Sequence, residues 1–228
     1  MDNPIALIVG AGSGLSGSLA RLLAKEGFNV ALAARNTEKL ASLAKAGALT
    51  LKCDAAREGD VESAFEAVEK KWGVPDLAVY NASWRTRGAI ETLAAADVER
   101  ALSVCAFAGF LVGRAAAKRM LAKGSGAIFF TGASASVKGY PQSAPFAMGK
   151  FALRGLAQSM ARELAPKNIH VAHFVIDGAI KSEARAGQGG EDALLDPEEI
   201  AKSYLALYRQ QRSAWSWELE LRPWVEKF

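Results

Sequence analysis

A short apolar run that passes into a glycine string and then into a helix is the feature that most narrows what this chain can fold into. Residues 5 to 10, "IALIVG", lack polar alternation and read as a strand buried on both faces. "GAGSG" overlaps its end, and "LSGSLARLLAKEG" then carries a helical pattern that stops at Gly27. Glycines at 10, 12 and 14 let the backbone turn sharply and approach a ligand closely. A helix beginning at Leu15 aims its unpaired N–H groups and the positive end of its dipole at the same point. Strand, glycine turn and helix start, in that order, make a seat for a pyrophosphate, formed by Gly10, Gly12, Ser13, Gly14 and Leu15.

The hydrophobic period then keeps switching. Residues 29 to 34 ("NVALAA"), 48 to 53, 76 to 80, 127 to 132 and 170 to 176 repeat the short apolar run of a buried strand. Between them lie helical stretches: one starting at a capping Asn36, and a long one over 97 to 123. A last helix is announced by Asp196 as cap, Pro197 at its first position and Glu199 closing a capping box. "SWELELRPW" alternates like an edge strand halted by Pro223, and we read the aromatic tail of Trp215, Trp217 and Trp224 as lying along it, in an interface or the core. Strand alternating with helix predicts an α/β fold, a doubly wound parallel sheet covered on both faces by right-handed crossovers, in a single domain over residues 1 to 228. The glycine-rich, charged piece at 181 to 192 follows a strand end and is the one expected mobile loop, at the edge where such sheets bind ligands.

Charge and cysteine content exclude other classes. The net charge of +4 is carried by Lys and Arg spread through helical stretches such as "RLLAKEG" and "AVEKKWG", the pattern of a solvated surface rather than a nucleic-acid patch. Cys53 and Cys105 form no CxxC pair, and His170 and His173 sit alone in an apolar run, so neither a metal site nor a disulfide framework is expected. The start "MDNPIALIVG" carries no basic leader, and no run reads as the roughly 18 apolar residues of a membrane span, so we expect no membrane partner and a reducing cytoplasm.

The end of the second strand bears on the cofactor. A carboxylate there would accept hydrogen bonds from an adenosine ribose and repel a 2′-phosphate. This chain has Ala34 and Arg35 instead. A cation at a helix start is disfavoured by the dipole unless it has an anionic partner, so Arg35 points to NADP(H) rather than NAD(H).

Taken together, Gly10 and Gly14, Asp54 after the third strand, Asn81-Ala82-Ser83 after the fourth, Lys150 on a helix after the fifth and Gly178 after the sixth resemble the short-chain dehydrogenase/reductase family over nearly the whole chain. The resemblance implies a seven-stranded Rossmann sheet, a nicotinamide cofactor, and homodimers or homotetramers built on the helices around 97 to 123 and 145 to 164. It places Asp54 and Ala55 beside the adenine, Asn81, Ala82 and Ser83 along the cofactor trough, and Gly178 and Ile180 at the nicotinamide.

Departures from that pattern bear on function. Where the family carries Asn, Ser, Tyr and Lys, spacing assigns Cys105, Ala133 (Ser134 if the register slips by one), Phe146 and Lys150. Ser16 stands for the third glycine, and Asp177 for the proline before Gly178. The resemblance gives the Tyr the role of proton donor, and Lys150 two tasks: lowering that hydroxyl's pKa and holding the nicotinamide ribose. Only the second task remains. Catalytic candidates are therefore Lys150, with Ser134 and Tyr140 from the loop before its helix, while Asp177 at the mouth is either a turn residue or one that orients a water or a polar substrate. Two readings stay open: an NADP(H)-dependent oxidoreductase with a non-standard catalytic set acting on a small, fairly apolar carbonyl substrate, or a catalytically quiet NADP(H)-binding protein.

Overall fold

The computed structural model describes residues 3 to 226 apart from 189 and 191. Seven strands, β1 (Ile5–Val9), β2 (Asn29–Ala34), β3 (Leu49–Lys52), β4 (Leu77–Tyr80), β5 (Gly126–Thr131), β6 (Ile169–Ile176) and β7 (Glu218–Leu221), form one sheet in the order β3-β2-β1-β4-β5-β6-β7. Every pairing is parallel; Ile8 of β1, for instance, faces Leu32 of β2 on one side and Val79 of β4 on the other. Such a sheet must be covered on both faces. On one face α3 (Glu58–Lys71), α5 (Ala108–Lys123) and α6 (Ala144–Leu164) bury Phe65, Leu111, Val112 and Leu153. On the other, α1 (Leu15–Lys25), α2 (Ala41–Lys45) and α7 (Pro197–Tyr208) bury Leu19, Leu23, Leu43 and Tyr204.

Several local expectations are corrected by tertiary contacts. The helix expected from Asn36 is broken: the Asn36 side chain accepts from the Glu38 N–H (2.9 Å), but a single tight turn, Glu38–Leu40, precedes the short α2. At α7 the Asp196 carboxylate accepts from the Glu198 N–H (2.8 Å) as a cap should, yet Glu199 does not close the box; its carboxylate takes the ammonium of Lys202 (2.6 Å), a charged donor on the same exposed face. The three tryptophans do not share a strand. Trp215 precedes β7 and stacks on His170 at 4.7 Å, Trp217 packs toward the core, and Trp224 is exposed.

The long apolar stretch is continuous from Ala95 to Lys123, as α4 (Ala95–Leu102), a π turn (Ser103–Phe107) and α5. Contrary to the sequence reading, this stretch is long and apolar enough to cross a membrane by length and composition. Its apolarity is accounted for here by the sheet it covers, with 56% of the apolar window buried. The Tyr80 hydroxyl donates to the carbonyl of Val104 within the π turn, drawing off a group that a regular helix would keep for itself.

Candidate functional site

The chain leaves β1 for β2 and β3 on one side, then returns to place β4 on the other, so a crevice opens where the carboxyl ends of β1 and β4 part. Gly10 turns the chain there with φ +84°, a conformation L side chains rarely adopt, and a Cβ on it would lie 2.3 Å from the Ala82 nitrogen. The Gly10 and Ala11 N–H groups both donate to the Ala33 carbonyl (2.9 and 3.0 Å), and the Asn81 N–H donates to the Val9 carbonyl (2.8 Å), which holds the rims of the crevice in place. Ser16, buried at the start of α1, accepts from the Asn81 side chain (2.6 Å) and ties the helix to the end of β4.

Around this point lies a cleft of about 390 Å³, lined by Gly10, Arg35, Asp54, Ala55, Asn81, Ala82 and Ser83 of the residues expected from sequence. The wall also carries Asn36 and Lys39, which the sequence reading did not single out. Lys39 sits four residues past Arg35, a spacing that on a turn or helix brings the two cations to one side, and this was the signal available. Neither makes an ion pair among the described residues. Asp54 fixes the loop after β3, accepting from the Ala56 N–H (3.1 Å) and donating its own N–H to Asp60 (2.9 Å). Gly12, Ser13 and Gly14 form the turn into α1, whose start no side chain caps. Leu15 turns its side chain into the core, so only its backbone is available to a ligand. An uncapped helix start, reached through Gly10 and Ala11 of the cleft wall and with no side chain on Gly12 or Gly14 to block it, fits a pyrophosphate.

The sequence's catalytic positions do come together, but as an apolar cluster. Cys105 in the π turn, Ala135 and Phe146 at the start of α6 pack against one another, with Ala133 and Trp84 against them. Gly149 permits this approach: a Cβ there would lie 2.6 Å from the Cys105 Cβ. The Cys105 thiol is spent on the Trp84 backbone, accepting from its N–H (3.4 Å) and donating to its carbonyl (3.3 Å). Behind Phe146 the ammonium of Lys150 is buried, 5.9 Å from the ring centroid, and donates to the Thr131 carbonyl (2.8 Å). Burial pulls its pKa down to about 8, with Cys105 opposing. An ammonium has three donors, and Thr131 uses one.

The remaining candidates lie at the mouth. Asp177 is fully buried, and its carboxylate accepts from Lys138 (2.8 Å) with Arg222 at 3.8 Å. Burial pushes this carboxyl up, but hydrogen bonds from Lys138 and Ser134 and the two nearby cations hold it below the usual carboxylate range. Ser134 is thereby placed beside Asp177, between Ala133 and Ala135 of the Phe146 cluster. Tyr140 lies in the loop before α6, 45% exposed. Gly178 and Ile180 leave β6 at the same edge, where Ile180 bridges to Leu195; neither they nor Lys150 line the cleft.

A parallel sheet with its cleft at the switch point and a glycine turn leading into an uncapped helix defines a Rossmann-type α/β protein. The family model described as short chain dehydrogenase matches residues 4–191, and the chain belongs to that oxidoreductase family. It is similar to carbonyl reductase family member 4 of Danio rerio, 29% identical over 215 residues that span 89% of this chain and 90% of that protein. Among solved structures it is similar to a short-chain dehydrogenase from Rhodopseudomonas palustris, with TM-score 0.85 and 36% identity over 98% of this chain and all of the other. The fold also matches an alcohol dehydrogenase from Thermococcus sibiricus solved with 5-hydroxy-NADP, with TM-score 0.88 and 22% identity over 98% of each chain.

Proposed function

We propose that this protein is an NADP(H)-dependent oxidoreductase with a non-standard catalytic set, acting on a carbonyl in a small molecule with an apolar body. The observation that carries the reading is the pairing of Arg35 with Lys39 on the wall of the cleft beside Asn36, at the β2 end where a 2′-phosphate would lie. Gly10, Asn81, Ala82 and Ser83 would line the trough for the rest of the cofactor, and Asp54 and Ala55 its adenine end. When bound, the reduced nicotinamide supplies a hydride. Lys150, with donors that Thr131 does not take up, would offer hydrogen bonds to the nicotinamide ribose, and Gly178 and Ile180 would border the nicotinamide.

Phe146 stands where the family pattern has its Tyr, so no hydroxyl is placed there to give a proton, and Ala133 offers none to steady the oxygen. Loss of a general acid costs about 10²–10⁴ in rate, which slows reduction without forbidding it. Ser134, Tyr140 and the Lys138–Asp177 pair, in and beside the loop before α6, are the protic candidates for the role. The loop at 181 to 192, expected from the sequence to be mobile and to shape specificity, includes 189 and 191, which lie outside the described residues. Exposed Phe107 and Phe110 on the helix over 95 to 123, with Met148 and Phe151 on α6, supply the apolar face for a homodimer or homotetramer. Two buried free thiols suit a reducing, cytoplasmic setting.

A quiet cofactor-binding protein is the second reading, favoured by the closed packing of Cys105, Ala135 and Phe146. The two separate on NADPH oxidation with a panel of aldehydes, ketones and quinones. Phe146→Tyr should raise carbonyl reduction by about tenfold or more, and Phe146→Tyr with Ala133→Ser further than the single changes combined, because both groups meet one oxygen. Saturable NADPH binding with no turnover in the parent or either variant would leave the quiet reading.

A further inference from the structure

At the amino end of the sheet, away from the cleft at the switch point, β7 begins late. Its first residue, Glu218, pairs with His173, so the start of β6 is flanked by the segment 215 to 217 instead of a strand. A cavity of about 330 Å³ opens there against the last turns of α6, with Gln158, Ala161, Arg162, His170, Trp215 and Trp217 in its lining. It shares no lining residue with the cleft around Gly10. One wall is fixed by a set of hydrogen bonds. The Trp215 indole N–H donates to the Gln210 carbonyl (3.1 Å), and the Gln210 side chain donates to the Ser216 hydroxyl (3.0 Å) and accepts from the Ser216 N–H (2.9 Å). The Ser216 carbonyl accepts from His170 Nε2 (2.8 Å), and the Trp217 carbonyl from the His173 N–H (2.8 Å). Buried His170 then backs the Trp215 ring, the two planes 4° apart at 4.7 Å. The facing wall belongs to α6, where Gln158 and Arg162 stand one turn apart on one side of the helix. Two turns earlier, Arg154 forks onto both oxygens of Glu218 (2.6 and 2.8 Å). Arg162 makes no ion pair among the described residues.

These two walls ask for different things. Trp215 has spent its N–H, so it offers a ligand only apolar ring surface, and Trp217 beside it is half-buried. Because the segment that carries both is bonded in place, a ligand laid against it orders little that was free. Polar recognition must then come from α6. A guanidinium fork matches the two oxygens of a carboxylate, and an amide N–H one turn away can join it. The volume lies near the lower end of the roughly 300–1,000 Å³ of small-molecule sites, enough for one or two fused rings and too little for a folded segment of another chain. We propose that this cavity binds a small aromatic carboxylate, its ring against Trp215 and Trp217 and its charge on Arg162 and Gln158. Phe146 and Lys150 lie at the other end of α6, so this site is separate from the reaction and stands whether or not the protein turns over a carbonyl.

Isothermal titration calorimetry with three probes of similar size tests it: naphthalene-2-carboxylate, naphthalene-2-carboxamide and decahydronaphthalene-2-carboxylate. At low salt the aromatic acid should bind about tenfold tighter than the carboxamide, which keeps the flat ring and loses the charge. It should also bind about tenfold tighter than the saturated acid, which keeps the charge and loses the flat ring. Arg162→Ala should bring acid and amide within about threefold of each other, and Arg162→Lys should leave part of the gap because charge stays and the fork is lost. Arg162 is exposed and makes no ion pair among the described residues, so circular dichroism of both variants should match the parent. Lys202→Ala, which removes the partner of Glu199 on α7, should leave the gap whole. Saturating NADPH should change the affinity of the acid by less than about twofold. Absent or equal binding of acid and amide, or a gap that survives Arg162→Ala, overturns the proposal. Displacement by NADPH would put the acid in the other cleft, and binding lost as copies associate in sedimentation would give this face to a second copy; either result overturns it as well.

Discussion

At the β1–β4 end the cleft is walled largely by backbone and small residues, with Gly10, Ala34, Ala55 and Ala82 leaving room and Arg35 and Lys39 supplying charge at the rim. Around Phe146 the walls, Cys105, Ala133, Ala135 and Trp84, are apolar and already in contact, and Lys150 behind Phe146 is buried. The first region is open and shaped by what it must admit. The second is closed on itself, its one thiol spent on backbone groups, and its polar chemistry displaced to the Lys138–Asp177 pair and the Arg85 guanidinium at its edge. On the proposed reading, one half of the fold would bind a cofactor through backbone and turn geometry, while the other half has Phe146 and no hydroxyl at that position, and proton transfer depends on such single side chains.

The largest effect should come from filling the open half. Gly10→Ala places a methyl 2.3 Å from the Ala82 nitrogen at φ +84°, which forces the two rims apart. Such overpacking at a strained position costs about 3 kcal/mol or more, and NADPH binding should be lost. Calorimetric melting with a fluorescence titration checks it; an unchanged Tm and affinity would mean that the rims are not rigid.

Lys150 probes the closed half through pH. It titrates near 8 in the folded chain and near 10.5 when unfolded, so between those values the unfolded chain binds more protons and stability rises with pH. The full cost of the buried charge is present below about pH 8. Lys150→Met should therefore stabilise the protein by about 2 to 3 kcal/mol at pH 7, after allowing for the unmade bond to Thr131, with the difference closing toward pH 10. Urea unfolding at both pH values reads this directly. The same variant should bind NADPH more weakly by about 1 to 3 kcal/mol, the size of a lost charged hydrogen bond. A variant less stable than its parent at both pH values would show the ammonium to be satisfied where it lies.

Arg35 carries the smallest expected change. The parent should prefer NADPH over NADH about tenfold, near 1.4 kcal/mol, and Arg35→Ala should erase most of that, with Lys39→Ala taking the remainder. Equal affinities for the two cofactors in the parent would remove the charge argument from the open half.

Much of this was legible in the residues themselves. Buried strands announce themselves as unbroken apolar runs, and Gly10, Arg35, Asp54 and Asn81 follow from their places after strand ends, because a parallel sheet gathers its strand ends on one edge whatever its side chains do. The fourfold spacing of Phe146 and Lys150 likewise set both at the start of one helix. Lys39 was hidden because the broken helix after Asn36 does not follow the periodic pattern.

What tertiary structure alone decided are contacts between segments far apart in the chain. Nothing in local sequence sets the π turn at Ser103–Phe107, which needs Tyr80 from β4, nor the bond from Asn81 to Ser16. The same holds for the meeting of Cys105 with Phe146 across Gly149 and for the burial of Lys150 behind Phe146. Periodicity and turn chemistry are local and survive in a linear string. Pair distances across a folded core are fixed by how close its helices can approach, which no short stretch of sequence records.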